Sequence, residues 1–270
     1  MIITPMQGES VRKLLDTGKI KTVLLVCHHG LGDAITVYNN ILPVLRERYP
    51  NITFSMDTHK GQQDLCGYPD DMSHYDLTII LKIPCSEWDV WSNETKAERS
   101  LRLEFGIDNI RQPDTYHNPR YESPLVGMQL KSISSRSLHY NETDAHRLWN
   151  AIKDVGLIPL DMQFAHPDAN LIQHPYPFQD RNIHDIKPNV KTLFGLMGAV
   201  SGFAGVASGD FWVALSVLPP QTILYLENDF DVRKLTRLPV HHMHIYDEKV
   251  VAEWLDDINN YGNGNPSCDY

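Results

Sequence analysis

The chain has 270 residues, 42% hydrophobic and 21% charged, the balance of a soluble globular protein, with length for one large domain or two small ones. A formal net charge of −10 and a sequence pI of about 5.7 argue against a general nucleic-acid coat, without excluding a local basic groove.

In chain order, Val23 to Val26 is a continuous apolar run that predicts a strand buried on both faces. The loop His28-His29-Gly30-Leu31-Gly32-Asp33 follows. Ala34 to Tyr49 then carries Ile35, Tyr38, Ile41, Leu42 and Leu45 at helical spacing, and Pro50-Asn51 stops it. Ile52 to Met56 reads as a second strand, which completes the β-loop-α-β opening of a doubly wound fold. A strand is expected over Leu77 to Leu81 and a helix over Lys96 to Phe105, ending near Gly106. The polar, proline-bearing stretch from Asn109 to Pro124 reads as a linker. After it, Leu125 to Leu130 opens a second series, followed by a polar loop from Lys131 to Tyr140 and a helix over Glu142 to Val155, with Asn141 or Thr143 as cap. Ile158 to Phe164 reads as a strand and His166 to Lys187 as an irregular loop. Further elements are a helix over Val190 to Val200, a strand over Gly202 to Val206, a turn at Ser208-Gly209-Asp210 into a helix over Phe211 to Leu218, a strand over Thr222 to Leu226, and an amphipathic helix over Glu248 to Ile258.

Cys27, Cys66, Cys85 and Cys268 form no C-x-x-C pair, so free thiols in a reducing cytosol are expected. Met1 to Ser10 lacks the basic and apolar regions of a signal peptide, and no apolar run reaches the ~18–20 residues that span a bilayer. A cytoplasmic protein is the expectation, with at most peripheral contact at the inner membrane face. If the chain is phage-encoded, that means the host cytoplasm.

Two stretches resemble a known family. "VLLVCHHGLGDAITVYNNILPVLRERYPNITFSM" is similar to the opening of the ADP-heptose:lipopolysaccharide heptosyltransferases, and "LFGLMGAVSGFAGVASGDFWVALSVLPPQTILYL" to their second signature. The terminal "YDEKVVAEWLDDI" matches their closing helix. The resemblance implies an α/β, GT-B-like fold: two Rossmann-like β/α/β domains facing across a cleft. Residues 1–115 would form the acceptor side. Residues 116–270 would form the donor side, with the final helix crossing back. It also implies an inverting transfer with no bound metal and no cofactor beyond the nucleotide-diphosphate sugar. Nearby departures are Ala207 where a carboxylate is usual and Trp212 where a histidine is usual; they bear on the identity of the donor sugar.

Inverting transfer needs one general base for the acceptor hydroxyl, and cations or amide donors for the leaving diphosphate. The family's catalytic aspartate falls on Asp33, at the mouth of the first strand. The alternative for Asp33 is a cap on the helix expected from Ala34. Gly30 and Gly32 permit a tight turn and close ligand approach, but they lack the third glycine of a dinucleotide fingerprint. His28 and His29 are candidates to bind an acceptor anion or assist proton transfer, or loop histidines with no role. For the diphosphate, Lys131, Ser134, Ser135 and Arg136 offer cations and hydroxyls, and Ser208 and Gly209 open a helix. Asp210 is a candidate polar contact or a cap. Glu227 and Asn228 follow a donor-half strand, where ribose contacts lie. His241, His242 and His244 lack a third ligand at useful spacing and read as structural. Trp88, Trp91 and Tyr75 line an acceptor cleft or belong to the core.

The sequence therefore reads as a nucleotide-sugar glycosyltransferase. The acceptor is a glycan or lipopolysaccharide, or a hydroxymethylated DNA base of a phage. A non-catalytic nucleotide- or sugar-binding protein and a GT-B-like sugar-nucleotide epimerase are the competing readings.

Overall fold

The computed structural model describes residues 1–59, 62, 65, 74–83, 94–108, 123–131, 140–162, 189–227 and 231–262. Ser134, Ser135, Arg136, Asn228, Trp88, Trp91, most of the expected linker and the loop from His166 to Lys187 lie outside the described residues. The chain groups into two compact units. The first is Met1–Asp114 with Arg233–Arg237; the second is Thr115–Val232 with Leu238–Tyr270. The final helix, expected to cross back, groups with the second unit. The late segment that groups with the first is Arg233–Arg237.

The first unit holds strands β1 (Ile2–Ile3), β2 (Thr22–Cys27), β3 (Thr53–Thr58) and β4 (Leu77–Ile80) in one parallel sheet of order β1-β4-β2-β3. In β2, Val23, Leu24 and Leu25 are fully buried, as a continuous apolar run in a parallel sheet requires. Helix α1 (Gly8–Asp16) precedes β2, and α2 (Leu31–Thr36) follows it. A π-helical stretch (Val37–Ile41) then leads into α3 (Leu42–Arg48). Pro43 accounts for the widened turn: it has no N–H for the carbonyl four residues back, and its ring crowds that carbonyl.

Helix α4 (Lys96–Phe105) is bounded by two local devices. Thr95 and Glu98 form a reciprocal capping box, with Thr95 N–H donating to Glu98 at 2.7 Å and Glu98 N–H to the Thr95 hydroxyl at 3.2 Å. Gly106 ends the helix at φ 64°. The backbones of α1 and α4 meet there: a side chain at Gly8 would come within 2.5 Å of the Gly106 nitrogen. Glu104, 1% exposed, accepts the N–H groups of Met6 at 2.8 Å and Lys82 at 2.9 Å, which fixes the chain just beyond β4.

The second unit is a parallel five-stranded sheet of order β6-β5-β7-β8-β9. Its strands are β5 (Leu125–Gln129), β6 (Ile158–Asp161), β7 (Gly202–Gly205), β8 (Ile223–Leu226) and β9 (His241–Met243). Its helices are α5 (Glu142–Asp154), capped by Asn141, α6 (Val190–Gly198), α7 (Gly209–Val217) and α8 (Glu248–Gly262). On α8, Val251, Trp254, Leu255 and Ile258 are buried in the core with Leu148 and Ile152 of α5, and the Trp254 indole donates to the Thr222 carbonyl at 2.9 Å. Gly202 is where β7 takes Ile258, whose Cδ1 would lie 2.3 Å from an added Cβ. Among the described residues, no helix is long and apolar enough to cross a membrane.

Candidate functional site

In open α/β sheets, ligands bind beyond the carboxyl ends of the strands, where the strand order reverses. In the first unit this point lies between β2 and β4, and the loop after β2 crosses it. The His29 ring bonds the Leu81 carbonyl at 2.9 Å, joining the two strand ends, and Gln62 donates to the His29 carbonyl at 3.0 Å. His29 is thus held in the frame. His28 is half exposed, pairs with Asp57 at 2.8 Å and stacks on His59 with centroids 5.3 Å apart.

The loop then enters α2 directly. The helix begins at Leu31, with Gly30 at the cap position and no side-chain cap. Gly30 sits at φ −60°, ψ 160°, and Gly32 lies inside the helix with its carbonyl accepting from the Thr36 hydroxyl, so neither supplies a tight turn. Asp33, two residues into the helix, does not cap it. Its carboxylate Oδ1 instead pairs with the ammonium of Lys96, the first residue of α4. The two side chains are 14% and 8% exposed. The second oxygen, Oδ2, lies 3.6 Å from where a Gly30 side chain would begin.

Lys96 was not legible as a site residue from its neighbours in sequence. One signal was available: it directly follows a Thr cap, at the positive end of a helix dipole, where a cation is disfavoured. A lysine buried there needs an anion from elsewhere in the fold.

A test of this geometry is Gly30→Ala. Its φ suits alanine and the new methyl makes only ordinary contact, but alanine is the poorer residue at a helix cap, so a small loss of stability, about 0.5–1 kcal/mol, is expected. The methyl comes to rest against Oδ2, so turnover should fall by about tenfold or more, on the order expected for a misplaced reacting group. Unfolding midpoints and kcat measured together check this.

In the second unit, the reversal lies between β5 and β7. Lys131 stands two residues beyond β5, and burial lowers the pKa of its ammonium, with Glu142 opposing. Ser208 caps α7, accepting from the Phe211 N–H at 3.3 Å, and its hydroxyl is also bonded to Gln129 at the end of β5. With that hydroxyl engaged, the anion-binding capacity of this helix start rests on the backbone N–H groups of Gly209 and Asp210. The Asp210 side chain is no cap. It is 6% exposed, and its Oδ2 has no hydrogen-bond partner among the described residues. Burial, and the Asp161 carboxylate at the end of β6, push its carboxyl up to about 7. Helix α7 is buried from Asp210 through Ser216, which is why this carboxyl is desolvated. Glu227, after β8, pairs with His242 at 3.0 Å, and His241 with Asp257 at 2.8 Å.

No protein-family model matches the chain, and no curated protein matches it in sequence. Solved structures do share its fold. The iron-containing dodecameric glycosyltransferase TibC of enterotoxigenic E. coli superposes with a TM-score of 0.60 at 13% identity, over 91% of this chain and 79% of that one. E. coli ADP-heptose lipopolysaccharide heptosyltransferase II gives 0.59 at 11% identity, over 91% and 99%. E. coli heptosyltransferase WaaC, solved with ADP, gives 0.54 at 12% identity, over 90% and 100%. The likeness establishes the α/β fold with its parallel sheets, and the heptosyltransferase resemblance of the sequence has its counterpart in structure.

Proposed function

We propose that this chain is a GT-B-like glycosyltransferase that moves a sugar from a nucleoside-diphosphate sugar to a hydroxyl acceptor, with inversion and without a metal. The observation that carries the reading is Asp33: a carboxylate at the strand-order reversal of the first unit, held at one oxygen by the buried ammonium of Lys96. In the proposed step, Asp33 Oδ2 takes the proton of the acceptor hydroxyl as that oxygen bonds the anomeric carbon. The bond from that carbon to the diphosphate oxygen breaks, and the diphosphate leaves with the electron pair. The donor belongs to the second unit, where the start of α7 and Lys131 offer amide donors and a cation to a diphosphate. A nucleoside-diphosphate donor is supported by two fold neighbours, TibC solved with ADP-D-β-D-heptose and WaaC solved with ADP. The acceptor is a hydroxyl of a glycan or lipopolysaccharide, or of a hydroxymethylated DNA base.

The reading predicts that a nucleoside diphosphate stabilises the fold. At a concentration 100-fold above its Kd, ADP, UDP or GDP should add about 2.7 kcal/mol, a shift of several degrees in Tm. If none of the three, nor CMP, moves the midpoint at millimolar concentration, the donor assignment fails.

A further inference from the structure

Lys96 stands where a lysine is least favoured. It opens α4 at the positive end of the helix dipole, and its side chain is 8% exposed. Burial pushes its ammonium down to about 8, against a lesser opposing influence from Cys27. The backbone from which it reaches is fixed: the Thr95–Glu98 capping box locks the start of α4, and Arg237 clamps Glu98 with two bonds of 3.0 and 2.7 Å. From this anchor the side chain reaches Oδ1 of Asp33 on α2, whose Oδ2 lies 3.6 Å from where a Gly30 side chain would begin.

We propose that Lys96 is the positioning residue of the Asp33 base, its ammonium fixing Oδ1 so that the carboxylate stays charged and held in one orientation for the acceptor hydroxyl. The inference rests on the reading of Asp33 as the base. An opposite charge in contact favours the ionised carboxylate, and a buried contact does so more than an exposed one. The ammonium keeps its own proton throughout; the proton gained by Oδ2 leaves to solvent after transfer.

The charged groups of the surrounding elements are mostly engaged elsewhere. From β2, Cys27 faces Lys96. From α1, Arg12 bonds the Gly106 carbonyl at the far end of α4, and Glu9 and Lys13 pair with each other in solvent. From the π-helical stretch the titratable group is Tyr38, which is exposed. On α4 itself, Glu98 is held by Arg237, Glu104 by two backbone N–H groups, and Arg102 by Glu94. Arg99, partly buried one turn on from Lys96, is a further cation of this helix, and its Nε makes no hydrogen bond among the described residues.

Turnover falls in acid as Asp33 gains a proton, and falls again in alkali as Lys96 loses one and releases Oδ1. Lys96→Met should lower kcat at pH 7 by about 10–100-fold with the donor KM unchanged, the loss expected when a reacting group is misplaced. It should also move the acid limb up by about one pH unit or more. Lys96→Arg keeps the charge well beyond pH 10, so its alkaline limb should retreat. A readout independent of transfer is the carboxyl ¹³C titration of Asp33, assigned by its loss in Asp33→Asn. In Lys96→Met its midpoint should rise by about one pH unit or more. An unchanged Asp33 midpoint in folded Lys96→Met overturns the proposal, whether or not transfer is observed. If that variant does not fold, an alkaline limb in Lys96→Arg identical to wild type overturns it. Full turnover in Asp33→Asn would instead remove the reading of the base.

Discussion

Asp33→Asn is expected to lower turnover by about 10²–10⁴-fold, the usual contribution of a general base. Asparagine keeps the size of the side chain and one acceptor for Lys96, but it cannot take a proton. Donor affinity should not change, because the groups proposed to hold the donor belong to the other unit. Stability will change. Lys96 is 8% exposed and loses its charged partner, and removing one member of a buried pair costs about 3 kcal/mol, less where an amide still accepts the bond. The comparison must therefore be made well below the variant's Tm, with donor affinity measured on the same sample. A fall in kcat at constant affinity identifies the base. A fall in both points to damaged folding. Normal turnover moves the assignment to His28, which is exposed enough to reach a substrate.

The second large effect concerns stability and its pH dependence. Asp210 is buried, lies near the Asp161 carboxylate and is pushed up to about 7 from the ordinary value of 3.8. Its folded form thus binds a proton that its unfolded form has lost between these two values. Stability falls as pH rises through that window, the cost being absent below about pH 4 and complete above about pH 7. The full span is on the order of 4 kcal/mol. Asp210→Asn mimics the protonated form at every pH. Its stability relative to wild type should rise from pH 4 to pH 8 by about 2–4 kcal/mol, read by denaturant titration at each pH. Parallel pH curves for the two proteins would show that Asp210 does not titrate in this range.

Where local chemistry repeats in sequence, the fold was legible. Helix α4 was expected over Lys96 to Phe105 and is found there, because a Thr-x-x-Glu box opens it and a left-handed glycine closes it. The strands β2, β5, β7 and β8 were legible as short apolar runs. Helix α1 was not: it is polar apart from Val11, Leu14 and Leu15, and its place is set by backbone contact between Gly8 and Gly106, 98 residues apart. Strand β1 is two residues long and β9 is histidine-rich, so neither presents a strand pattern. At the candidate site, Asp33 was legible through the motif around it. Its partner was not, because Lys96 is 63 residues away and the pairing depends on how α2 and α4 pack on one sheet. The same holds for Asp210 and Asp161, which become neighbours only once α7 and β6 are in place. Reading Asp33 as a cap failed for a local reason: the helix starts at Leu31, earlier than the apolar spacing suggested.

The central claim is sugar transfer from a nucleoside-diphosphate sugar. The most direct measurement is release of nucleoside diphosphate from ADP-, UDP- and GDP-sugars, by wild type and Asp33→Asn side by side, with extracted glycan, lipopolysaccharide and hydroxymethylated DNA each offered as acceptor. The account predicts release by wild type with one donor, stimulated by one acceptor class, and at least about 100-fold slower release by the variant. Equal release by the two proteins, or binding of the donor with no release under any acceptor, would contradict it.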